Sequence, residues 1–485
     1  MTNDPSRLLL VASNRGPVSY QRNDDGSLTA KRGGGGMVSG LTSGLAAAAA
    51  DGGVLWLCTA LSDADREAAR LGARADAHGE PAVRMLDIPP AVFDAAYNGI
   101  ANSILWFVHH LLFDTPNQPV FDAQFRRDWD AYRAYNEAFA GALAEESVAG
   151  TRVLVQDYHL ALTPRMLRDR HPEARIAHFE HTPWAPPEYY RILPDDVAEA
   201  ILDGMLGADH AGFLAERWAS AFLDCCEAVL GARVMRGSGG GGRVSYRGRV
   251  TDVAVHPLGV DAAALRERAA ADDVRAAVGT LTGLAEGRQL VVRVDRTELS
   301  KNIVRGLAAY RELLAHRPQW RGNVTHLAFA YPSRSDLAGY RAYTERVHEL
   351  GAQINAEFGR PGWQPLILEV KDDYARSLAA SRLADVLLVN PIRDGMNLVA
   401  EEGPILSERG CALVLSREAG AAALIGDDAL LVNPYDVTAT ADALHAGLSM
   451  PTAERRRRRP RGRAPARSPA RKAPGPPARP GSCHP

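Results

Sequence analysis

Short, unbroken apolar runs alternate with longer stretches of helical periodicity through most of the chain. Runs at 8–13, 54–58, 152–156, 175–179 and 210–214, and after a gap at 289–294, 325–330, 365–370, 385–389, 412–416 and 429–432, predict strands. Their continuity, rather than alternation, marks strands buried on both faces. Helical patterns separate most of them, the clearest at 121–146, 215–230 and 337–357. Strand–helix–strand repetition predicts parallel sheets with right-handed crossovers, hence an α/β fold.

The two series of strands predict two doubly wound, Rossmann-like domains, 1–255 and 256–454, divided at Val255-His256-Pro257-Leu258-Gly259. Just before the division, Gly237–Gly242 reads as a mobile hairpin tip rather than a phosphate loop, because no strand–loop–helix pattern surrounds it. Two such domains face each other across a cleft at the carboxyl ends of their strands. Functional side chains are therefore sought just after the apolar runs.

Composition adds a third region. From Arg455 to Pro485 there are eleven Lys or Arg, eight Pro and no Asp or Glu. This predicts a disordered basic tail, 455–485, with the composition of a GC-rich gene read in a shifted frame. Removing its eleven positive charges from the net −2 leaves −13 on residues 1–454. An acidic body argues against a nucleic-acid partner. The absence of a ~20-residue apolar run argues against a membrane span. Five scattered cysteines and no leader pattern fit a cytoplasmic protein.

Polar clusters recur after the predicted strands. Arg15 follows the first run, and the glycines of Arg32–Met37 precede a helical stretch, where free N–H groups suit an anion. Tyr97, Asn102 and Trp106 lie together in a stretch that also reads as an amphipathic helix with core aromatics. Asp157-Tyr158-His159 and His181 follow consecutive strands, so both aim at one cleft. In the second half, Arg296 and Lys301 lie five residues apart across a strand-to-helix turn. They are able to converge on a pyrophosphate, although a solvated helix start has the same appearance. Arg334 ends the next run. Arg393-Asp394-Gly395-Met396-Asn397-Leu398-Val399-Ala400-Glu401-Glu402 offers a glycine turn for a phosphate, Asp394 for sugar hydroxyls and Glu402 for ribose hydroxyls. Asp63 and Asp65, the only D-x-D considered for a metal, sit where carboxylates cap a helix, and no metal site is expected.

Arg296…Lys301 and the Arg393–Ala400 stretch, with Asp157-Tyr158-His159-Leu160 and Asn433-Pro434-Tyr435-Asp436, resemble the trehalose-6-phosphate synthase family of retaining glycosyltransferases over residues 7–454. The resemblance implies the GT-B fold, two Rossmann-like domains around a central cleft, the first binding acceptor and the second the nucleotide donor. It implies that Arg296, Lys301 and the N–H groups of Leu398 and Val399 hold the donor diphosphate. Gly395, Met396 and Asn397 complete that turn, and Gly35 and Gly36 form the N-terminal glycine loop. Asp394 meets the transferred ring and Glu402 the ribose. Arg15, Tyr97, Trp106, Asp157, Tyr158 and Arg334 face a phosphorylated acceptor, with Asp157 and His181 beside the reacting centre. No cofactor is implied, and a homodimer is expected by similarity only.

The chain departs from the family's motifs at several places. H-D-Y-H-L is Gln156–Leu160, R-L-D-Y-x-K-G is Arg296–Asn302, G-W-S-G is replaced at Cys58–Ser62, and A-G-A-A-N-E-L is Ala419–Ile425. Phosphate-handling charges stay while ring-facing groups change. Among family branches this pattern looks most like the pseudoglycosyltransferases that couple GDP-valienol to validamine 7-phosphate through a C–N bond, giving validoxylamine A 7′-phosphate in antibiotic biosynthesis. That expectation makes the partners a nucleotide-linked pseudosugar and a phosphorylated aminocyclitol. The alternatives are a trehalose-6-phosphate or glucosylglycerol-phosphate synthase with a nucleotide-glucose donor, and an inactive sugar-phosphate sensor.

Overall fold

The computed structural model describes residues 8–32, 45, 53–73 and 81–458. The apolar runs form two sheets. In the first, seven parallel strands lie in the order Ala82–Leu86, Val54–Thr59, Leu9–Ala12, Arg152–Gln156, Arg175–Glu180, His210–Phe213, Arg249–Val255. The antiparallel strands Gly242–Tyr246 and Arg233–Arg236 extend its edge. The second is parallel throughout, in the order Leu366–Glu369, Val324–Tyr331, Gln289–Arg296, Val386–Val389, Ala412–Ser416, Leu430–Val432. Along their parallel parts the second has the doubly wound 3-2-1-4-5-6 order and the first the same order extended by a seventh strand, an arrangement in which ligands bind where the winding reverses.

In the first lobe the reversal lies between Leu9–Ala12 and Arg152–Gln156, which pair in register. In the second it lies between Gln289–Arg296 and Val386–Val389. Strands near these points are buried on both faces: Val54–Thr59 and Val386–Val389 contain no residue outside the buried class. Helices cover them, notably Ala123–Glu146 and Glu216–Leu230 in the first lobe and Ile303–His316 and Ala338–Phe358 in the second. Among the described residues, no helix is long and apolar enough to cross a membrane.

The Gly237–Gly242 turn joins two strands, as a hairpin tip does, but it is packed rather than free. Gly237 N–H donates to Gly241 O at 2.8 Å. A Cβ on Gly240 would lie 2.5 Å from the Glu216 carbonyl, so only glycine lets the tip rest on that helix. Asp65 acts as a cap, and Asp63, in the same first turn, pairs with Arg66 at 2.7 Å. Ser62 Oγ accepts from Asp65 N–H at 3.0 Å, and Asp65 accepts from the Ser62 and Tyr20 N–H groups. Order also continues past residue 455, where a tail was expected. Thr452–Arg457 is helical, and the buried Arg455 pairs with Asp385 at 3.2 Å. The buried carboxylate of Asp385 gives this arginine a reason to fold back that composition does not reveal.

Tyr135, on the Ala123–Glu146 helix, ties together two strand ends beneath the first-lobe site. Its hydroxyl donates to Asn14 Oδ1 at 2.7 Å and lies 2.6 Å from Thr59 Oγ1. Tyr135→Phe leaves both partners buried and unpaired there. It is expected to cost about 1–3 kcal/mol, read as a lower urea midpoint at unchanged slope.

Candidate functional site

The first-lobe half of the site begins at Ser13. Ser13 Oγ donates to Arg15 O at 2.6 Å and accepts from Trp56 Nε1 at 2.7 Å, which sets the loop carrying Arg15. Arg15 donates to Tyr97 Oη at 3.4 Å. Tyr97 belongs to an eleven-residue π-helix, Ala95–Leu105, followed directly by an α-turn at Trp106–His110. Wider i→i+5 turns put Tyr97 and Asn102, five apart, on one side; such segments gather at functional sites. Tyr158 Oη donates to Asn102 Oδ1 at 3.0 Å, bringing the Asp157–His159 turn into the same group.

Asp157 stands at a strand end with φ 72° and ψ 164°, a region otherwise almost confined to glycine. The cost of this conformation, about 1–3 kcal/mol, is met by its contacts. Its carboxylate accepts the His181 N–H at 3.3 Å and lies 3.5 Å from His159 Nδ1. Burial works to raise its pKa, but His159 and His181 outweigh it and hold the carboxylate below the usual range. Glu180, wholly buried beside it, has its pKa pushed well upward by burial and by the Asp157 charge. His181 Nε2 faces Gln156 Oε1 at 2.8 Å, and burial lowers its pKa. Because Gln156 Nε2 is turned to the Val155 carbonyl, its oxygen faces the ring, and His181 carries its proton on Nε2.

The second-lobe half is assembled on two strand ends. Lys301 Nζ donates to Asp394 Oδ2 at 2.6 Å, and Asn397 Nδ2 donates to the same oxygen at 3.1 Å. Burial opposes the ammonium charge, but Asp394 and Asp295 more than offset it and raise the lysine pKa. Arg296, half exposed, meets Glu298 Oε1 at 2.8 Å. The same oxygen accepts from Ser333 Oγ at 2.9 Å and lies 3.7 Å from Arg334 Nη1. Burial would raise the Glu298 pKa, yet Arg296, Arg334 and Lys301 hold it at about 2. Arg334 donates to Tyr340 Oη at 2.7 Å and to Tyr158 Oη at 3.3 Å, and it lies 4.0 Å above the Trp106 ring.

These contacts join the two halves. Arg334 of the second lobe rests on Trp106 and Tyr158 of the first, so Arg15, Tyr97, Trp106, Asp157, Tyr158 and His181 share one cleft with Arg296, Lys301, Arg334 and Asp394. Gly395 packs so closely against the first lobe that a Cβ would lie 2.0 Å from His181 O. Met396 is buried, Asn397 has φ 78°, and Leu398 and Val399 begin the Val399–Leu406 helix, whose first N–H groups have no partner within the helix. Glu402 lies in its first turn, and burial raises its pKa. Gly35 and Gly36 lie outside the described residues. No group of three or more His, Cys, Asp or Glu able to hold a metal occurs among the described residues.

Sequence reasoning gave no role to Glu298, Tyr340 or Trp218. Glu298 sat in a motif read for its cations, and its burial depends on Ser333 and Arg334, which arrive from another strand end. Glu401, next to Glu402, is a further half-buried residue, with one carboxylate oxygen inaccessible. Burial pushes it up to about 7 from an ordinary 4.5, with Glu402 adding to the shift. A raised acid pKa means the folded protein holds a proton that the unfolded chain releases. The associated stability is full below pH 4.5 and is lost as pH rises through 7. Glu401→Gln is therefore expected to flatten the stability profile by about 2 kcal/mol between pH 5.5 and 7.5, measured by urea unfolding.

Comparison with known proteins accords with this arrangement. Residues 7–464 match the model of Glycosyltransferase family 20. The UDP-forming alpha,alpha-trehalose-phosphate synthase of Schizosaccharomyces pombe is 32% identical over 456 residues, covering 93% of this chain and 85% of the relative. That of Botryotinia fuckeliana is 35% identical over 457 residues, 93% of this chain and 83% of the relative. An E. coli trehalose-6-phosphate structure bound with UDP-2-fluoro glucose superposes with a TM-score of 0.79 at 28% identity, covering 93% of each chain. The UDP-forming synthase of Burkholderia xenovorans in complex with glucose-6-phosphate gives 0.79 at 27%, covering 93% and 94%. The fold is GT-B. With both winding reversals turned to one cleft and the match running nearly end to end, the chain belongs to glycosyltransferase family 20.

Proposed function

We propose that the chain transfers a glucosyl group, with retention, from a nucleoside-diphosphate glucose to a phosphorylated sugar, as a trehalose-6-phosphate synthase does. The observation that carries this reading is the gathering of cations at the strand ends: Lys301 on Asp394 at the head of the 395–399 turn, and Arg296 and Arg334 on the Glu298 carboxylate. Two anionic groups are accommodated in line, a departing diphosphate and an acceptor phosphate. In this reading 1–255 is the acceptor lobe and 256–454 the donor lobe.

Arg296, Lys301 and the Leu398 and Val399 amides take up the charge that develops as the bond from the donor carbon to the diphosphate oxygen breaks. The acceptor, gripped through its phosphate by Arg15 and Arg334, attacks from the face the diphosphate leaves. Its hydroxyl proton passes to the departing phosphate oxygen, so no protein base is consumed. Asp394 and Asp157 accept hydroxyl hydrogen bonds, Glu402 those of the ribose. His181, neutral and protonated on Nε2, presents Nδ1 as an acceptor.

The expectation of GDP-valienol and validamine 7-phosphate rests on departures at Gln156, within Arg296–Asn302, at Cys58–Ser62 and at Ala419–Ile425. The relatives named above are UDP-forming trehalose-phosphate synthases, and they favour nucleotide-glucose over the pseudosugar pair. Incubation with UDP-glucose or GDP-glucose plus glucose 6-phosphate tests the choice. Release of nucleotide with formation of a non-reducing disaccharide phosphate is the expected result. Turnover only with a valienol donor and an aminocyclitol phosphate overturns it, and binding without turnover points to a sensor.

A further inference from the structure

The turn that carries Asp394 is held from both lobes. From its own lobe, Asp394 N–H donates to Glu418 O at 3.3 Å and Gly420 N–H donates to Asp394 O at 3.0 Å. A Cβ on Gly420 would lie 1.9 Å from Gly395 O, so these backbones are in contact. From the other lobe, Trp218 Nε1 donates to Gly395 O at 2.9 Å, and Arg393 returns a bond to Trp184 O at 2.9 Å. Trp218 is 1% exposed. Its ring lies against two guanidinium groups, Arg217 at 4.0 Å and Arg393 at 4.4 Å. Arg217 in turn crosses to the second lobe, donating to Arg417 O and Glu418 O and pairing with the Glu418 carboxylate at 3.1 Å.

We propose that Trp218 is a cross-lobe positioning residue. Its indole N–H sets the Gly395 carbonyl, and thereby the Asp394 carboxylate against Lys301, so that occupancy of the acceptor lobe and of the diphosphate site are energetically coupled. Among the described residues, Gly395 O is the acceptor of that N–H. The indole is wholly buried, yet its one polar atom is spent across the lobe boundary, one residue from the carboxylate that pairs with Lys301. A tryptophan serving packing alone has no reason to aim its donor there, because a buried N–H is satisfied equally well by a carbonyl of its own lobe. The flanking cations fix the ring plane, so the direction of the N–H is defined as well as its position.

This inference rests on the proposed function, and its test separates the two. The Kd of UDP, and of GDP, is measured calorimetrically with and without saturating glucose 6-phosphate, for the wild type, Trp218→Phe and Arg217→Gln. The wild type is expected to show a coupling factor of at least about fivefold. Trp218→Phe keeps the ring and removes the N–H. It is expected to bind each ligand alone within about threefold of wild type, while the coupling factor falls below about two. Arg217→Gln, at a side chain 38% exposed, is expected to lower the factor by about half and covers the case in which Trp218→Phe does not fold. A packing role would change melting temperature or all affinities together, not the coupling alone. Wild-type coupling retained in the variants, or none in a wild type that binds both ligands, overturns the inference. A wild type that binds neither nucleotide nor sugar phosphate overturns the functional reading and the inference with it.

Discussion

Replacing Lys301 with alanine is expected to lower kcat by about two to three orders of magnitude, with a much smaller rise in donor KM. The ammonium is part-buried and fixed, 2.6 Å from Asp394; burial opposes its charge, but Asp394 and Asp295 outweigh it and raise its pKa. A charge held in place before reaction meets the growing charge on the diphosphate oxygen with no reorganisation, and that gain belongs to the transition state more than to the bound donor. The substitution also leaves Asp394 without its cation, so a ring-facing carboxylate loses its orientation at the same time. Lys301→Arg retains charge but is longer and planar, and it is expected to recover part of the loss. Steady-state kinetics on the three proteins decide the matter. If Lys301→Ala stays within tenfold of wild-type kcat, the lysine is a structural partner of Asp394 and the leaving-group role passes to Arg296 and the helix start.

Most of the parallel strands were legible as unbroken apolar runs, and Val54–Thr59, Val386–Val389 and Ala412–Ser416 are buried along their whole length; Ala82–Leu86 and Arg249–Val255, with their exposed or polar positions, were not. Arg152–Gln156 and Ala412–Ser416 match their expected bounds, and most others differ by one or two residues. Ala82–Leu86 was missed because Arg84 interrupts its run, at an edge where the side chain reaches Glu145 and Glu146 on the neighbouring helix. The hairpin of Val18–Arg22 and Leu28–Arg32 was missed because it forms a separate two-stranded sheet. The π-helix has no signature in a 3.6-residue period, so the stretch around Tyr97 was read as an ordinary amphipathic helix. Cations after strands were legible from position alone. What they pair with was not, since Glu298 with Arg334 and Trp218 with Gly395 depend on how separate strand ends, or separate lobes, come together.

Glu298→Gln tests the link between the two anion sites. Glu298 is wholly buried, and its Oε1 meets Arg296 and Ser333, with Arg334 3.7 Å away. Glutamine keeps the shape and removes the charge. Arg296 is 51% exposed and regains water, whereas the Arg334 side chain, 8% exposed, regains little. The cost therefore falls on Arg334, left with the Tyr340 and Tyr158 hydroxyls and the Trp106 ring as its only neighbours among the contacts above. Losing one partner of a buried pair costs about 3–5 kcal/mol, which lowers the melting temperature by about 6–20 °C at about 2–4 °C per kcal/mol. A phosphate bound at Arg334 supplies the missing charge, so saturating glucose 6-phosphate is expected to raise the melting temperature more in the variant than in the wild type. The pH dependence has a definite sign. Because the Glu298 pKa is lowered to about 2 from an ordinary 4.5, its contribution is present above pH 4.5 and is lost as pH falls toward 2. The gap between wild type and variant should be constant above pH 5 and narrow below 4.5. A gap independent of acid, or a smaller gain from glucose 6-phosphate in the variant, would show that Glu298 is not the counterion of Arg334 and that the two anion sites are electrostatically separate.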